Sequence, residues 1–291
     1  MSAHAVTPRV ESRLAPTTAV AAVLAVATAG WIVLAARVAG MDTGPGGDPG
    51  TLGWFAVSWA VMTAAMMLPA TAPAVARVVR ARSAAAWASA AGLFVLAYGA
   101  VWMVAGLGGY AVVTAVRGAH VGVLDWSSAG RYVAAAAVLA AAVYQLTAAK
   151  RRWLARCTTA RLPASSNGAA GAVRAGLDHG GCCVACCGTL MVALYAVGMM
   201  SLAWMAVITV LIVGERVLPR PAWTTGAVAA VLAVLGVAVA AWPTALPGLT
   251  IPPSAHPAMM RMAAAVPGTL GTRVTPPVPS RLTGDPQLGR T

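Results

Sequence analysis

Apolar runs of about 20 residues, separated by short arginine-rich segments, constrain the fold of this chain more than any other feature. Residues 17–39, 52–76, 84–116, 130–149 and 223–242 are such runs, and residues 184–213 form a longer one. A membrane-spanning helix needs about 20 apolar residues. Only 9% of the 291 residues are charged, whereas a soluble domain carries about 25%. The sequence therefore predicts an all-α fold, a polytopic transmembrane helical bundle.

The number of spans depends on residues 184–213. As one helix this stretch would be about 45 Å long at 1.5 Å per residue, which is more than a bilayer core requires. We expect a hairpin of two short helices that breaks near residues 198–201, and a single long or kinked helix is the alternative. The bundle then has six or seven spans.

The distribution of charge predicts orientation and location. The chain has 20 basic and 7 acidic residues, a net charge of +13. The arginines cluster at 77–82, 150–174 and 216–220, which follows the positive-inside rule for cytoplasmic loops and makes nucleic-acid binding a poor interpretation. We predict a multi-pass inner (plasma) membrane protein. Residues 1–16 form a cytoplasmic N-terminal segment, residues 17–242 the transmembrane domain with a metal-binding motif, and residues 243–291 a Pro-rich, disordered tail.

The segment from Asp178 to Cys187 concentrates soft metal ligands. It holds four of the five cysteines, together with a histidine. Residues four apart share a helix face, so Cys183, Cys187 and Met191 form a sulfur stripe that would continue to Met199. The pair Cys182 and Cys186 forms a second stripe beside it. Thiolates followed by thioethers suit Cu(I) better than Zn(II), which prefers a closed tetrahedron.

The predicted metal site has two groups of ligands. The principal ligands are Cys183, Cys186 and Cys187, and Cys182 and His179 are additional candidates. The methionines are auxiliary thioethers or line the site; these are Met62, Met66 and Met191. The alternative is that the cysteines and methionines only pack, because both residue types fill membrane helix interfaces well.

The second apolar run carries a possible partner for the cysteine stripe. Met62, Met66 and Pro69 lie on one face of a helix, and Pro69 frees a backbone carbonyl inside the apolar run. Such a kink can line a cavity, which would let the two methionines complete a soft site between the second and fifth spans, near the cytoplasmic face. The alternative is a bend filled by methionines.

Three further residues are interpreted as lying outside the predicted metal site. Cys157 is predicted to be a free thiol in the polar loop before the cysteine block, and a delivery ligand is the alternative. Glu215 adjoins Arg216 at the predicted membrane interface, so we expect a solvated ion pair. Lys150, the only lysine, belongs with the arginines beside it to the topology signal.

Three stretches together resemble a known family. They are residues 59–69, then Tyr144 to Thr147 followed by Lys150 and Cys157, and finally His179 to Pro219. The likeness covers roughly residues 17–220 and is to the bacterial predicted metal-binding integral membrane proteins, a family of unknown function. The resemblance implies metal binding in a bacterial membrane.

We therefore predict a membrane protein that binds Cu(I), with zinc as the alternative metal, for copper handling, delivery or homeostasis. Its partners would be the lipid bilayer, the metal ion, and a copper enzyme or copper chaperone. No catalytic motif is found, so no catalytic residue is predicted and we do not expect an enzyme. Two alternatives stay open. One is a membrane thiol–disulfide oxidoreductase that uses the C-x-x-C of Cys183 and Cys186 at a helix start, within the Cys182–Cys187 block. The other is a non-catalytic assembly partner whose cysteines merely pack.

Overall fold

The computed structural model describes residues 7–38, 50–80, 83, 86–118, 130–159, 168–197, 201–218 and 221–242. Within these ranges every regular element is a helix, which confirms the predicted all-α class for the described part of the chain. The described residues form eight helices in this order: α1 Thr7–Val38, α2 Leu52–Arg80, α3 Trp87–Gly118, α4 Arg131–Gln145, α5 Ala148–Thr159, α6 Ala169–Val197, α7 Leu202–Val217 and α8 Pro221–Ala241. The predicted tail, residues 243–291, and Met199 of the predicted sulfur stripe lie outside the described residues.

Five of these helices are long and apolar enough to cross a bilayer, namely α1, α2, α3, α6 and α8. The pair α4 and α5 passes the same test only as one broken span, bent by 67°. Helix α7 has 16 residues, fewer than the roughly 20 that a bilayer core requires. Among the described residues there are therefore five or six candidate spans, which meets the expected six or seven at six.

The segment that holds the cysteines differs from its prediction. Helix α6 begins at Ala169, 15 residues before the predicted start at Val184, and the cysteines lie near its middle rather than at its start. Small residues explain this extension, because they let α6 approach α3 closely. A Cβ added at Gly176 would overlap the carbonyl oxygen of Phe94, and one at Gly180 would lie 2.9 Å from the Cβ of Val101. The backbone at Ser201, directly before α7, is extended, so the apolar stretch is interrupted at the end of the predicted break.

The fifth helix also departs from the prediction, which placed residues 150–174 in a polar loop. After α4 ends at Gln145, the chain bends and continues as α5, which includes both Lys150 and Cys157. Helix α5 packs against α6, and α6 packs also against α3, α4 and α7. The bend therefore turns a basic segment back across the cysteine-bearing helix.

Candidate metal centre

Three thiols from two helices meet at the centre of the fold. The Sγ atom of Cys186 lies 3.7 Å from that of Cys157 and 3.4 Å from that of Cys187. All three side chains are buried, and none forms a disulfide. Cys157 comes from α5, whereas the other two come from consecutive positions of α6. Sequence reasoning placed Cys157 in a loop, as a free thiol or a delivery ligand, because the lysine and arginines around it obscured the helical spacing of Lys150, Leu154 and Cys157, which are all buried.

The two remaining cysteines flank this group. The thiol of Cys183 lies 3.2 Å from the hydroxyl of Tyr98 on α3. Cys182 is buried at the adjacent position of α6. All five cysteines of the chain are thus buried, and we call them the thiol cluster: Cys157, Cys182, Cys183, Cys186 and Cys187.

The spacing of the sulfur atoms bears on metal binding. With metal–sulfur bonds of about 2.3 Å, ligand sulfurs in trigonal or tetrahedral arrangements lie about 3.8–4.0 Å apart. The sulfur–sulfur separations of 3.4 and 3.7 Å in the structure are slightly shorter. Among the described residues no group of three or more His, Cys, Asp or Glu side chains surrounds a ready-made metal position. An ion bound by Cys186 and either of these two neighbours would separate their sulfur atoms by roughly a few tenths of an ångström.

A cation lies against the thiol cluster. The Nη2 atom of Arg216 on α7 lies 3.4 Å from the Sγ of Cys186 and 3.9 Å from that of Cys187. Its Nη1 atom lies 3.4 Å from Nε2 of His179. Because a guanidinium only donates, Nε2 of His179 accepts, and its lone pair faces Arg216. The structure thus places His179, a predicted additional ligand, against the cation beside the thiols.

A second ion pair corrects the interpretations of Lys150 and Glu215. The Nζ atom of Lys150 lies 2.7 Å from Oε2 of Glu215, with both side chains fully buried. The same ammonium donates to the carbonyl oxygen of Cys186 at 2.6 Å. Glu215 is thus neither solvated nor paired with Arg216, and Lys150 does more than signal topology. The α4–α5 bend is the physical reason, since it directs Lys150 inward. A lone lysine and a glutamate beside apolar runs were the available signals.

The end of α4 adds a further link to α6. The hydroxyl of Tyr144 donates to the carbonyl oxygen of Ala185 at 2.7 Å, so this side chain links α4 to α6. Gln145 is fully buried, and its amide nitrogen and oxygen have no hydrogen-bond partner among the described residues. Polar groups of α4, α5 and α7 therefore surround the middle of α6.

The predicted methionine ligands occupy two different places. Met191 is buried one turn beyond Cys187 on α6, in line with the predicted stripe. Met62 and Met66 are buried in α2, which packs mainly against α1, α3 and α7 rather than against α6. This packing does not support the predicted site between the second span and the cysteine helix.

The carbonyl freed by Pro69 also has a partner. In a regular helix the carbonyl oxygen of Ala65 would accept from the backbone N–H of residue 69, which proline lacks. The indole Nε1 of Trp31 on α1 donates to this oxygen at 3.1 Å. The indole of Trp31 therefore satisfies the carbonyl that was expected to line a cavity.

A family model described as "PpoB2: Copper chaperone" matches residues 56–239. The chain belongs to this copper chaperone family. The matched region runs from α2 into α8 and includes all five cysteines together with Lys150, Glu215 and Arg216. No curated protein and no solved structure matches the chain. Family membership agrees with the expected metal binding and indicates copper, rather than zinc, as the metal that the protein handles.

The position and surroundings of the cysteines bear on the two alternative functions. The oxidoreductase hypothesis assumed a C-x-x-C at a helix start, but Cys183 and Cys186 lie in the middle of α6 and are fully buried. Reactive redox thiols are partly exposed in electropositive surroundings or lie at helix N-termini. Simple packing of the cysteines leaves unexplained the cation and the ion pair that surround them.

Proposed function

We propose that the protein is a membrane-embedded copper chaperone that carries Cu(I) on the thiol cluster. Cys186 and Cys187 of α6 and Cys157 of α5 would be its principal ligands, and Cys182 and Cys183 would supply further thiols. The observation that carries the proposal is a group of three free, buried thiols. The sulfur atoms of Cys187 and Cys157 lie 3.4 and 3.7 Å from that of Cys186. Cys157 thereby joins the predicted ligands.

The chemistry of the ligands supports the monovalent ion. Soft thiolate and thioether ligands select Cu(I). His179, the one histidine among the described residues, faces Arg216. Met191 would act as an auxiliary thioether beyond Cys187. Met62 and Met66 would line the bundle at most, because their helix packs elsewhere.

The outer surface of the helices supports placement in a membrane. Large aliphatic side chains are exposed on several of them, among them Leu96 and Val104 on α3, Val210 on α7 and Val234 on α8. Soluble monomers rarely expose apolar surface on this scale. With the arginine-rich segments toward the cytoplasm, the protein would be a multi-pass component of a bacterial inner membrane.

The path of the ion follows from the position of the thiols. Since they are buried, copper would enter and leave by movement of α5, which supplies one ligand and is joined to α4 by the bend. The acceptor would be a copper enzyme or a second copper carrier, which receives the ion by ligand exchange between thiols. The protein would not catalyse a reaction of its own.

Copper binding by cysteine variants tests the proposal. The full chain is purified in detergent under reducing conditions, supplied with Cu(I), and analysed for bound metal by elemental analysis. Loss of groups that only support metal ligands costs about 10- to 100-fold in affinity. We therefore expect Cys186→Ser/Cys187→Ser to lower copper affinity by at least about 100-fold.

The matched control is Met62→Leu/Met66→Leu, which changes two buried sulfur residues of α2. It should bind copper as the wild type does. Copper should also protect the wild-type thiols from alkylation. The proposal would be lost if the wild type retained no copper, or if the cysteine variant retained as much. Reversible cycling of Cys183 and Cys186 between dithiol and disulfide would favour the oxidoreductase.

A further inference from the structure

The charge of Arg216 is not neutralised by the carboxylate next to it in sequence. Glu215 is bound to Lys150 at 2.7 Å, so these two opposite charges cancel within the buried pair. Arg216 instead directs its Nη2 atom to the sulfurs of Cys186 and Cys187, and its Nε atom has no hydrogen-bond partner among the described residues. Its positive charge is therefore held against the two thiols of α6.

The guanidinium is fixed in place by His179. Nε2 of the imidazole accepts from Nη1 of Arg216, and the ring packs against Phe94 and Tyr98 with centroid distances of 5.7 and 5.8 Å. An arginine is always charged and its planar fork holds a defined orientation. His179 is thus a positioning residue for the cation.

We propose that Arg216 determines metal specificity at the thiol cluster by favouring monovalent copper over divalent zinc. This inference rests on the proposed function. Cysteines bind metals as thiolates. For any given number of thiolates, the complex with a monovalent ion keeps one more negative charge than the complex with a divalent ion. A fixed positive charge beside the sulfurs attracts the more negative complex more strongly.

The size of the preference follows from Coulomb's law. Two unit charges about 4 Å apart at the effective dielectric constant of a protein interact strongly enough to change an equilibrium by as much as roughly 1000-fold. The metal lies farther from the guanidinium than the sulfurs do, and the surroundings relax. We therefore expect Arg216 to account for a Cu(I)-over-Zn(II) preference on the order of 10- to 100-fold.

Two further cations lie near the cluster, and the charges of Lys150 and Glu215 cancel within their buried pair. Arg77 on α2 donates to the carbonyl oxygen of Thr158 at 3.4 Å, and Arg156 is exposed on α5. Both are cations at the rim of the cluster. Only Arg216 among these lies within hydrogen-bonding distance of the Cys186 sulfur, so its substitution isolates the effect.

Competition titrations on the purified full chain test the inference. Dissociation constants for Cu(I) and Zn(II) are measured separately against chromophoric chelators, and their ratio is compared across variants. Arg216→Gln should lower the preference for Cu(I) by about 10- to 100-fold. Arg216→Lys keeps the charge and should hold the ratio within about threefold of wild type.

The control Arg80→Gln removes one exposed positive charge at the end of α2 and should leave the ratio unchanged. A role of Arg216 in folding alone would weaken both metals equally, and an unchanged ratio in Arg216→Gln would overturn the inference. If Arg216→Gln does not fold, loss of the preference in a folded Arg216→Lys variant overturns it. A wild type that binds no Cu(I) defeats the proposed function instead, so the two failures are distinguishable.

Discussion

Two regions of this molecule bury several sulfur atoms, and their surroundings differ. One is the middle of α2, where Met62, Met66 and Met67 are buried against neighbouring helices. The other is the thiol cluster in the middle of α6. From the sequence both regions were candidates for binding a soft metal, because both place sulfur on one face of an apolar helix.

The polar groups beside the sulfur atoms distinguish the two regions. In the α2 region two indoles bond backbone carbonyls: Trp31 donates to Ala65, and Nε1 of Trp59 donates to the carbonyl oxygen of Trp102 at 2.8 Å. The thiol cluster instead has a guanidinium against its sulfurs and a fully buried ion pair beside it. Burying charge is costly unless it is paired. The comparison teaches that a costly polar environment, rather than buried sulfur, distinguishes the candidate site from packing.

The largest expected effect tests the ion pair. Lys150→Met leaves the carboxylate of Glu215 buried without its partner, and breaking a buried pair in this way costs about 3–5 kcal/mol. In the α2 region Met66→Leu conserves volume and should cost less than about 1.5 kcal/mol. The free energy of unfolding in detergent, measured by denaturant titration, checks both values.

A double variant identifies the cause of that loss. Lys150→Met/Glu215→Leu removes both charges, so most of the lost stability should return. If the single lysine variant is no less stable than Met66→Leu, the two regions do not differ in the way we describe.

An intermediate effect concerns the third thiol. Cys157→Ser removes a ligand that only the tertiary structure brings to Cys186, and we expect copper affinity to fall by about 10- to 100-fold. Met62→Leu removes a thioether of α2, and copper affinity should change by less than about threefold. Competition with a Cu(I) chelator measures both. Equal losses of copper affinity in the two variants would indicate that α2 contributes to the metal site.

The smallest effect concerns the hydrogen bond between α4 and α6. Tyr144→Phe removes the donor to the carbonyl oxygen of Ala185 and should lower the unfolding free energy by about 0.5–1.5 kcal/mol. Tyr132→Phe is the matched control, because its hydroxyl is on an exposed side chain that bonds only the neighbouring Arg131 among the described contacts. Thermal unfolding in detergent compares them. If Tyr132→Phe lowered the stability as much as Tyr144→Phe, the hydrogen bond to Ala185 would not specifically stabilise the α6 region.

The extents of most long helices could be predicted because apolar length alone defines them. Helix α2 was expected from residue 52 and begins at Leu52, and α8 was expected over 223–242 and covers Pro221–Ala241. The start of α6 and the existence of α5 could not be predicted. The glycine- and alanine-rich beginning of α6 is helical because it packs closely on α3. Helix α5 has four basic residues among its 12, so its buried face of Lys150, Leu154 and Cys157 gives no apolar run.

The sequence by itself determined the helical class, the succession of apolar helices and the soft-metal character of the cysteine block, because apolar length and ligand type are properties of the chain alone. Tertiary structure decided which of those residues meet. The α4–α5 bend brings Cys157 to Cys186 and Lys150 to Glu215, and α7 brings Arg216 to the thiols. No local pattern encodes these contacts, since each joins residues at least 29 positions apart through the packing of separate helices.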